Sequence, residues 1–109
     1  MSITGGTWNV MANGYGGKLN FSIGEHGKVT GTIQFQGLPV NRIEGWAGPV
    51  ANPDAIFFMR FDENDDPVHM FSGFIFRGPN VEVPTMGGNS TFVGVGRPYT
   101  AIFGWVASR

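Results

Sequence analysis

Three groups of residues have the types and spacing that binding or catalysis requires. Glu44, in Arg42-Ile43-Glu44-Gly45-Trp46, and Arg60, in Phe57-Phe58-Met59-Arg60-Phe61, each interrupt an apolar stretch. Facing one interior they would make an ion pair that is costly to bury unless fully hydrogen-bonded, and in a closed pocket such a pair orients a polar ligand or substrate. Facing water they are an ordinary cross-strand pair, the arrangement preferred here, although alternation alone does not fix the side. The second group is the acidic run Asp62-Glu63-Asn64-Asp65-Asp66 with His69 just beyond it. Clustered carboxylates suit Ca²⁺, but the run lacks the Gly and distal Glu of a defined loop and reads as a solvated turn. A His within reach of Asp65 or Asp66 has the titration range of a general base; the plainer reading of His69 is structural. The third group is aromatic: Trp46, Phe58, Phe71, Tyr99, Phe103 and Trp105 can line a pocket for a hydrophobic or planar ligand, or fill a core.

Composition narrows the chemistry. The chain has 109 residues, 18 Gly, 7 Pro, no Cys and a net charge of −1. That length holds one domain, residues 1–109. Without Cys there is no disulfide framework, thiolate nucleophile or thiolate-bound metal, and two widely separated His residues make no metal site, so no metal or cofactor is assigned. Seven scattered Lys and Arg residues argue against nucleic acid as a partner. The start, Met1-Ser2-Ile3-Thr4, has neither a basic region nor an apolar run, and no stretch is long enough to span a membrane as a helix, so a cytoplasmic chain is expected. No nucleophile elbow, phosphate-binding glycine loop or catalytic carboxylate pair occurs.

The elements that must position these groups are strands. Gly and Pro break the chain every ten to fifteen residues into short runs rich in Val, Ile, Thr, Phe and Trp. Eight strands are expected: Thr7–Ala12, Lys18–Ile23, Lys28–Phe35, Arg42–Ala47, Ala55–Phe61, Val68–Phe76, Thr91–Gly96 and Thr100–Ser108. Their short, turn-rich links predict an all-β, eight-stranded antiparallel up-and-down β-barrel, with Arg77 to Ser90 as one long connection covering a mouth. In the third strand Val29, Gly31, Ile33 and Phe35 alternate with polar residues, giving one buried and one wet face. Strands 55–61, 68–76 and 100–108 are apolar on both faces, which predicts a homo-oligomer, most simply a dimer, joined through them.

Gly6-Thr7-Trp8 at the first strand resembles the Gly-x-Trp opening of the calycins, the lipocalins and avidins. Leu19 to Thr32, with Gly24-Glu25-His26-Gly27 leading to Thr30-Gly31-Thr32, is similar to the second and third strands of avidin-like proteins. The resemblance covers the first third of the chain and implies that Trp8 closes one barrel end beneath Arg97 or Arg109, with Val10, Ala12, Ile33 and Phe35 inside. It also tells against biotin, because Val10 and Ile33 stand where the avidins carry polar residues, and Phe71-Ser72-Gly73 has Phe in place of a Trp.

Three functions follow as expectations. The first is a non-catalytic barrel for a small, mainly hydrophobic ligand, with a mouth ringed by Trp46, Phe71 and Tyr99. The second is a cyclase- or isomerase-type enzyme using Glu44, Arg60, His69 or Tyr99. The third is a protein-binding or inhibitory module that uses the outer Phe and Met face.

Overall fold

The computed structural model describes residues 4–48, 54–76, 83–93 and 102–109. Its strands are β1 (Gly6–Ala12), β2 (Tyr15–Ile23), β3 (Lys28–Phe35), β4 (Asn41–Ala47), β5 (Ala55–Phe61), β6 (Pro67–Ile75), β7 (Thr85–Phe92) and β8 (Ile102–Ser108). Each pairs antiparallel with the next, and β8 returns to β1 through Asn9–Ser108 and Met11–Val106, closing an eight-stranded up-and-down barrel.

Local chemistry explains the turns. Asn13 and Gly14 both take positive φ, 50° and 82°, which matches the twist of a two-residue hairpin. That tight turn carries β2 back to Tyr15 rather than Lys18, so Gly16 and Gly17 belong to the strand. A β-carbon on Gly17 would collide with the backbone of Gln34 and Phe35, so glycine lets β2 and β3 approach at that point. The acidic run between β5 and β6 is a turn, in which the Asp62 carboxylate accepts from the amides of Asn64 (2.9 Å) and Asp66 (3.0 Å). Among the described residues no cluster of His, Asp and Glu could hold a metal ion.

The seventh strand differs from expectation. It runs Thr85–Phe92, starting ahead of the expected Thr91–Gly96, of which residues 94–96 lie outside the described residues, so Gly87 and Gly88 lie in the sheet instead of in a long connection. Bulk from the neighbouring strands is the reason. Gly88 pairs with Gly73 on one side and with Trp105 on the other, and the Trp105 indole packs against Gly73, where a β-carbon would come within 2.9 Å of it. A glycine pair in sequence reads as loop; here it lets β7 approach its neighbours, since a β-carbon on Gly88 would collide with Ser72 O and Gly73 Cα and one on Gly87 with Trp105 O.

Alternation sorts the side chains. Trp8, Leu19, Ile33, Ile43, Phe58, Phe71, Met86 and Trp105 are buried inside. Phe58 and Phe71 stack with ring centres 4.7 Å apart, and Trp105 meets both edge-on while its indole N–H donates to Ser72 O at 3.0 Å. This cluster fills the middle of the barrel.

Candidate functional site

The two barrel ends differ in chemistry. At one, Trp8 stacks on Phe21, and the Arg109 guanidinium lies 4.8 Å above the Trp8 ring. Arg109 Nη2 also donates to Thr4 O (3.0 Å), Thr4 Oγ1 (2.9 Å) and Gly5 O, tying the last described residue to the first. A cation over an indole with its donors satisfied by backbone makes a capped, structural end. Of the two basic residues considered for this position, Arg109 takes it.

The other end, where β1 and β2 turn and β5 passes to β6, holds a cavity of about 200 Å³. Its apolar wall comes from Ala12, Phe35, Leu38 and Phe92, with Tyr15 and Asn13 at the first hairpin. Two polar groups enter this wall. Arg60 and His69 are register partners across β5 and β6, so their side chains share one face of the sheet, and that face is the interior. His69 is held between the rings of Phe71 (4.2 Å) and Phe92 (4.4 Å). Arg60 Nη1 donates to Asn41 Oδ1 at 2.7 Å, and Asn41, the first residue of β4, is itself buried. An apolar cleft with a few convergent polar groups is the usual composition of a small-molecule site.

Glu44 does not join them. Register places Ile43 opposite Arg60 and Glu44 opposite Met59, so Glu44 and Arg60 project from opposite faces of the sheet. This corrects the expectation that the two share a side. On the outer wall Glu44 is bridged by Lys28 (2.9 Å) and Arg42 (2.6 Å), and Arg42 reaches on to Asp65 (2.7 Å). The hydrogen bond from Lys28, followed by that from Arg42, holds the Glu44 carboxyl below its ordinary range. Arg42 is pushed above its usual value by Asp65 first and then Glu44, and its guanidinium also sits 4.0 Å over the Phe61 ring.

Trp46 is corrected as well: it projects outward, 56% exposed, and stacks on Phe57 of the same outer wall. It cannot ring an interior mouth. Phe58, Phe71 and Trp105 lie in the filled centre, and Phe103 packs edge-on against Phe92 next to the cavity. Tyr99 lies outside the described residues, as do residues 77–82 of the segment expected to gate the mouth. The described part of that segment, Val83 onward, enters β7 at the Trp8 end, opposite the cavity, where Phe76 N donates to Thr85 O. Asn41, Tyr15, Leu38 and Phe92 were not singled out from the sequence. For Asn41 the signal was present, since it stands two residues from Ile43 and so shares its inward face.

Outside the barrel, a groove of about 630 Å³ runs between Trp46, Phe57 and Phe74, with Gly73 and Gly88 on its floor. It is the larger space, and among the described residues His26 is the titratable group on its walls, whereas the interior cavity gathers Arg60 and His69.

No protein-family model, no curated protein and no solved structure matches the chain. Among the described residues no helix is long and apolar enough to cross a membrane.

Proposed function

We propose that the barrel is a non-catalytic, calycin-type binder of a small, mainly hydrophobic molecule, held in the cavity beside Arg60 and His69. The observation that carries this reading is the convergence of those two side chains in an apolar wall at one end, while the other end is capped by Arg109 over Trp8. Biotin is not the ligand proposed, because Val10 and Ile33 are buried inside where a ureido group needs polar partners. The enzyme reading loses its carboxylate, since Glu44 faces away from Arg60.

Native mass spectrometry of gently purified protein, compared with its denatured mass, tests the reading. Retained mass that is lost on denaturation is expected. Ala12→Leu, which fills the cavity from β1, should abolish retention; equal retention by that variant would move the ligand elsewhere.

The same experiment reports copy number, and a second copy is proposed on the outer wall of β5, β6 and β8. The outward residues of these strands include Phe57, Met59, Met70, Phe74, Ile102 and Val106, and among the described residues no charge interrupts them. Lys18, Lys28, Arg42 and Glu44 occupy the outer wall of β2–β4 instead. Phe74 is 52% and Ile102 66% exposed. Val106 is exposed too, and the partly buried Phe57, Met59 and Met70 lie beside them, so the wall is an uncharged apolar face of the kind that a second copy covers.

A further inference from the structure

The outer groove of about 630 Å³ is built along one register row. Trp46, Phe57, Ser72 and Asn89 are successive partners from β4 to β7, so their side chains stand side by side on the outside of the barrel. With strands about 4.8 Å apart the row is about 14 Å long. It is aromatic at one end and polar at the other. Trp46 stacks on Phe57 with 18° between the ring planes and is more than half exposed, which leaves a broad apolar surface along the groove. Ser72 and Asn89 are exposed, and Gly104, the partner of Asn89 on β8, has no side chain to cover its amide; a β-carbon there would meet Gly88 O only at 4.0 Å. Phe74, two residues from Ser72 on the same face, supplies a second apolar wall.

Charge and wall chemistry limit the occupant. No Lys, Arg, Asp or Glu is among the described residues that line the groove, and Lys28, the partner of Trp46 on β3, is drawn to Glu44 at 2.9 Å. An ion would find no counter-charge on these walls. A wholly hydrophobic molecule would strip water from Ser72 and Asn89 without replacing its hydrogen bonds. The fitting molecule is neutral, with apolar faces for Trp46, Phe57 and Phe74 and hydroxyls at its edges. A pyranose whose hydroxyls are equatorial has this form, because C–H groups cover both faces of its ring. Two joined rings suit the length of the row and a volume inside the ~300–1,000 Å³ of small-molecule sites. A purine has apolar faces too, but its polar atoms belong to one compact ring system, whereas the polar side chains here extend from His26 beside β3 to Asn89 on β7.

We propose that the groove is a second binding site, independent of the interior cavity, for a neutral disaccharide of equatorially substituted pyranoses such as cellobiose. Its rings lie on Trp46 and Phe57, and its hydroxyls meet Ser72 Oγ and the Asn89 amide, which both donates and accepts. Phe57 and Phe74 also belong to the wall on which a second copy is proposed, so saccharide and second copy exclude each other there.

Cellobiose titrated into isotope-labelled protein and followed by NMR tests the site. Sorbitol, which has hydroxyls but no ring face, and adenosine serve as comparison probes. The Trp46 indole N–H and the Asn89 side-chain amide should shift saturably with cellobiose and stay in place with the other two, while the Ala12 methyl in the interior cavity does not move. Trp46→Ala should weaken binding about tenfold or more through loss of the apolar platform. Asn89→Ala should weaken it about two- to tenfold, the scale of one net hydrogen bond. Both side chains are exposed, so neither variant opens the core. Where the parent sediments as an oligomer, saturating cellobiose should lower its mass. Silence of the Trp46 and Asn89 signals with cellobiose, or unchanged affinity in Trp46→Ala, would overturn the site. Equal shifts with sorbitol would overturn the role of the ring face, and shifts with adenosine alone would replace the saccharide by a planar base.

Discussion

Arg60 reaches diagonally across the seam between β4 and β5: its register partner is Ile43, yet its Nη1 donates to Asn41 Oδ1 at 2.7 Å. The diagonal bond draws the guanidinium toward the cavity end. Asn41→Ala removes a buried acceptor from a charged donor, so a loss of ~1–3 kcal/mol in unfolding free energy is expected. Urea denaturation checks it, with an unchanged slope showing that the change is in stability and not in the compactness of either state. A loss below a few tenths of a kcal/mol would mean that Arg60 does not depend on this bond.

Strand glycines provide a second, paired prediction. A β-carbon on Gly45 would collide with Phe57 O and the Phe58 backbone, whereas one on Gly104 would meet Gly88 O only at 4.0 Å. Gly45→Ala should therefore destabilise by ~1–3 kcal/mol or more, because the β4–β5 backbones must part. Gly104→Ala should stay within about 0.5 kcal/mol of the parent. Thermal melts of the two variants side by side decide it, and equal shifts would contradict the close approach of β4 to β5.

These glycines also show where the sequence is legible. The third and fifth strands, Lys28–Phe35 and Ala55–Phe61, run as the alternation and turn residues predict, and the closed meander follows from short links between antiparallel neighbours. The seventh strand was hidden because Thr85-Met86-Gly87-Gly88-Asn89-Ser90 has little strand propensity of its own; the close approach of the β6 backbone to Gly88 and of the β8 backbone to Gly87 sets its composition. For the site, the chemistry of Arg60 was readable and its face was not. Ala55–Phe61 is apolar on both parities, so nothing local distinguishes Phe58 and Arg60 from Phe57 and Met59; only pairing with Ile43 and His69 fixes the side.

The outer-wall cluster of Lys28, Arg42 and Glu44 predicts a pH dependence. Glu44 titrates below its ordinary 4.5 in the folded protein, so its contribution is complete above that value and is lost as pH falls through the lower, folded value. The stability difference between the parent and Glu44→Gln should therefore close as pH drops below about 4.5, and should shrink in high salt at neutral pH because the groups are solvent-exposed. Parallel denaturation curves across that window measure it. A difference that widens on acidification would reverse the sign assigned to Glu44.

The outer wall of β6 supplies the last prediction. Met70 and Phe74 alternate with the buried His69, Phe71 and Gly73, and their register partners are Met59 and Ala55 on β5 and Thr91 and Gly87 on β7. All of these project outward, so an aspartate at either position enters no core and leaves the barrel interior intact. In an interface between copies the same aspartate would be a buried charge facing Phe and Met, which costs several kcal/mol unless it finds a partner. Met70→Asp and Phe74→Asp are therefore expected to remain folded by circular dichroism and to sediment as monomers where the parent sediments as an oligomer. A variant oligomer of parental mass would move the contact off this wall. A parent that is itself monomeric would leave the uncharged face open to a different protein partner.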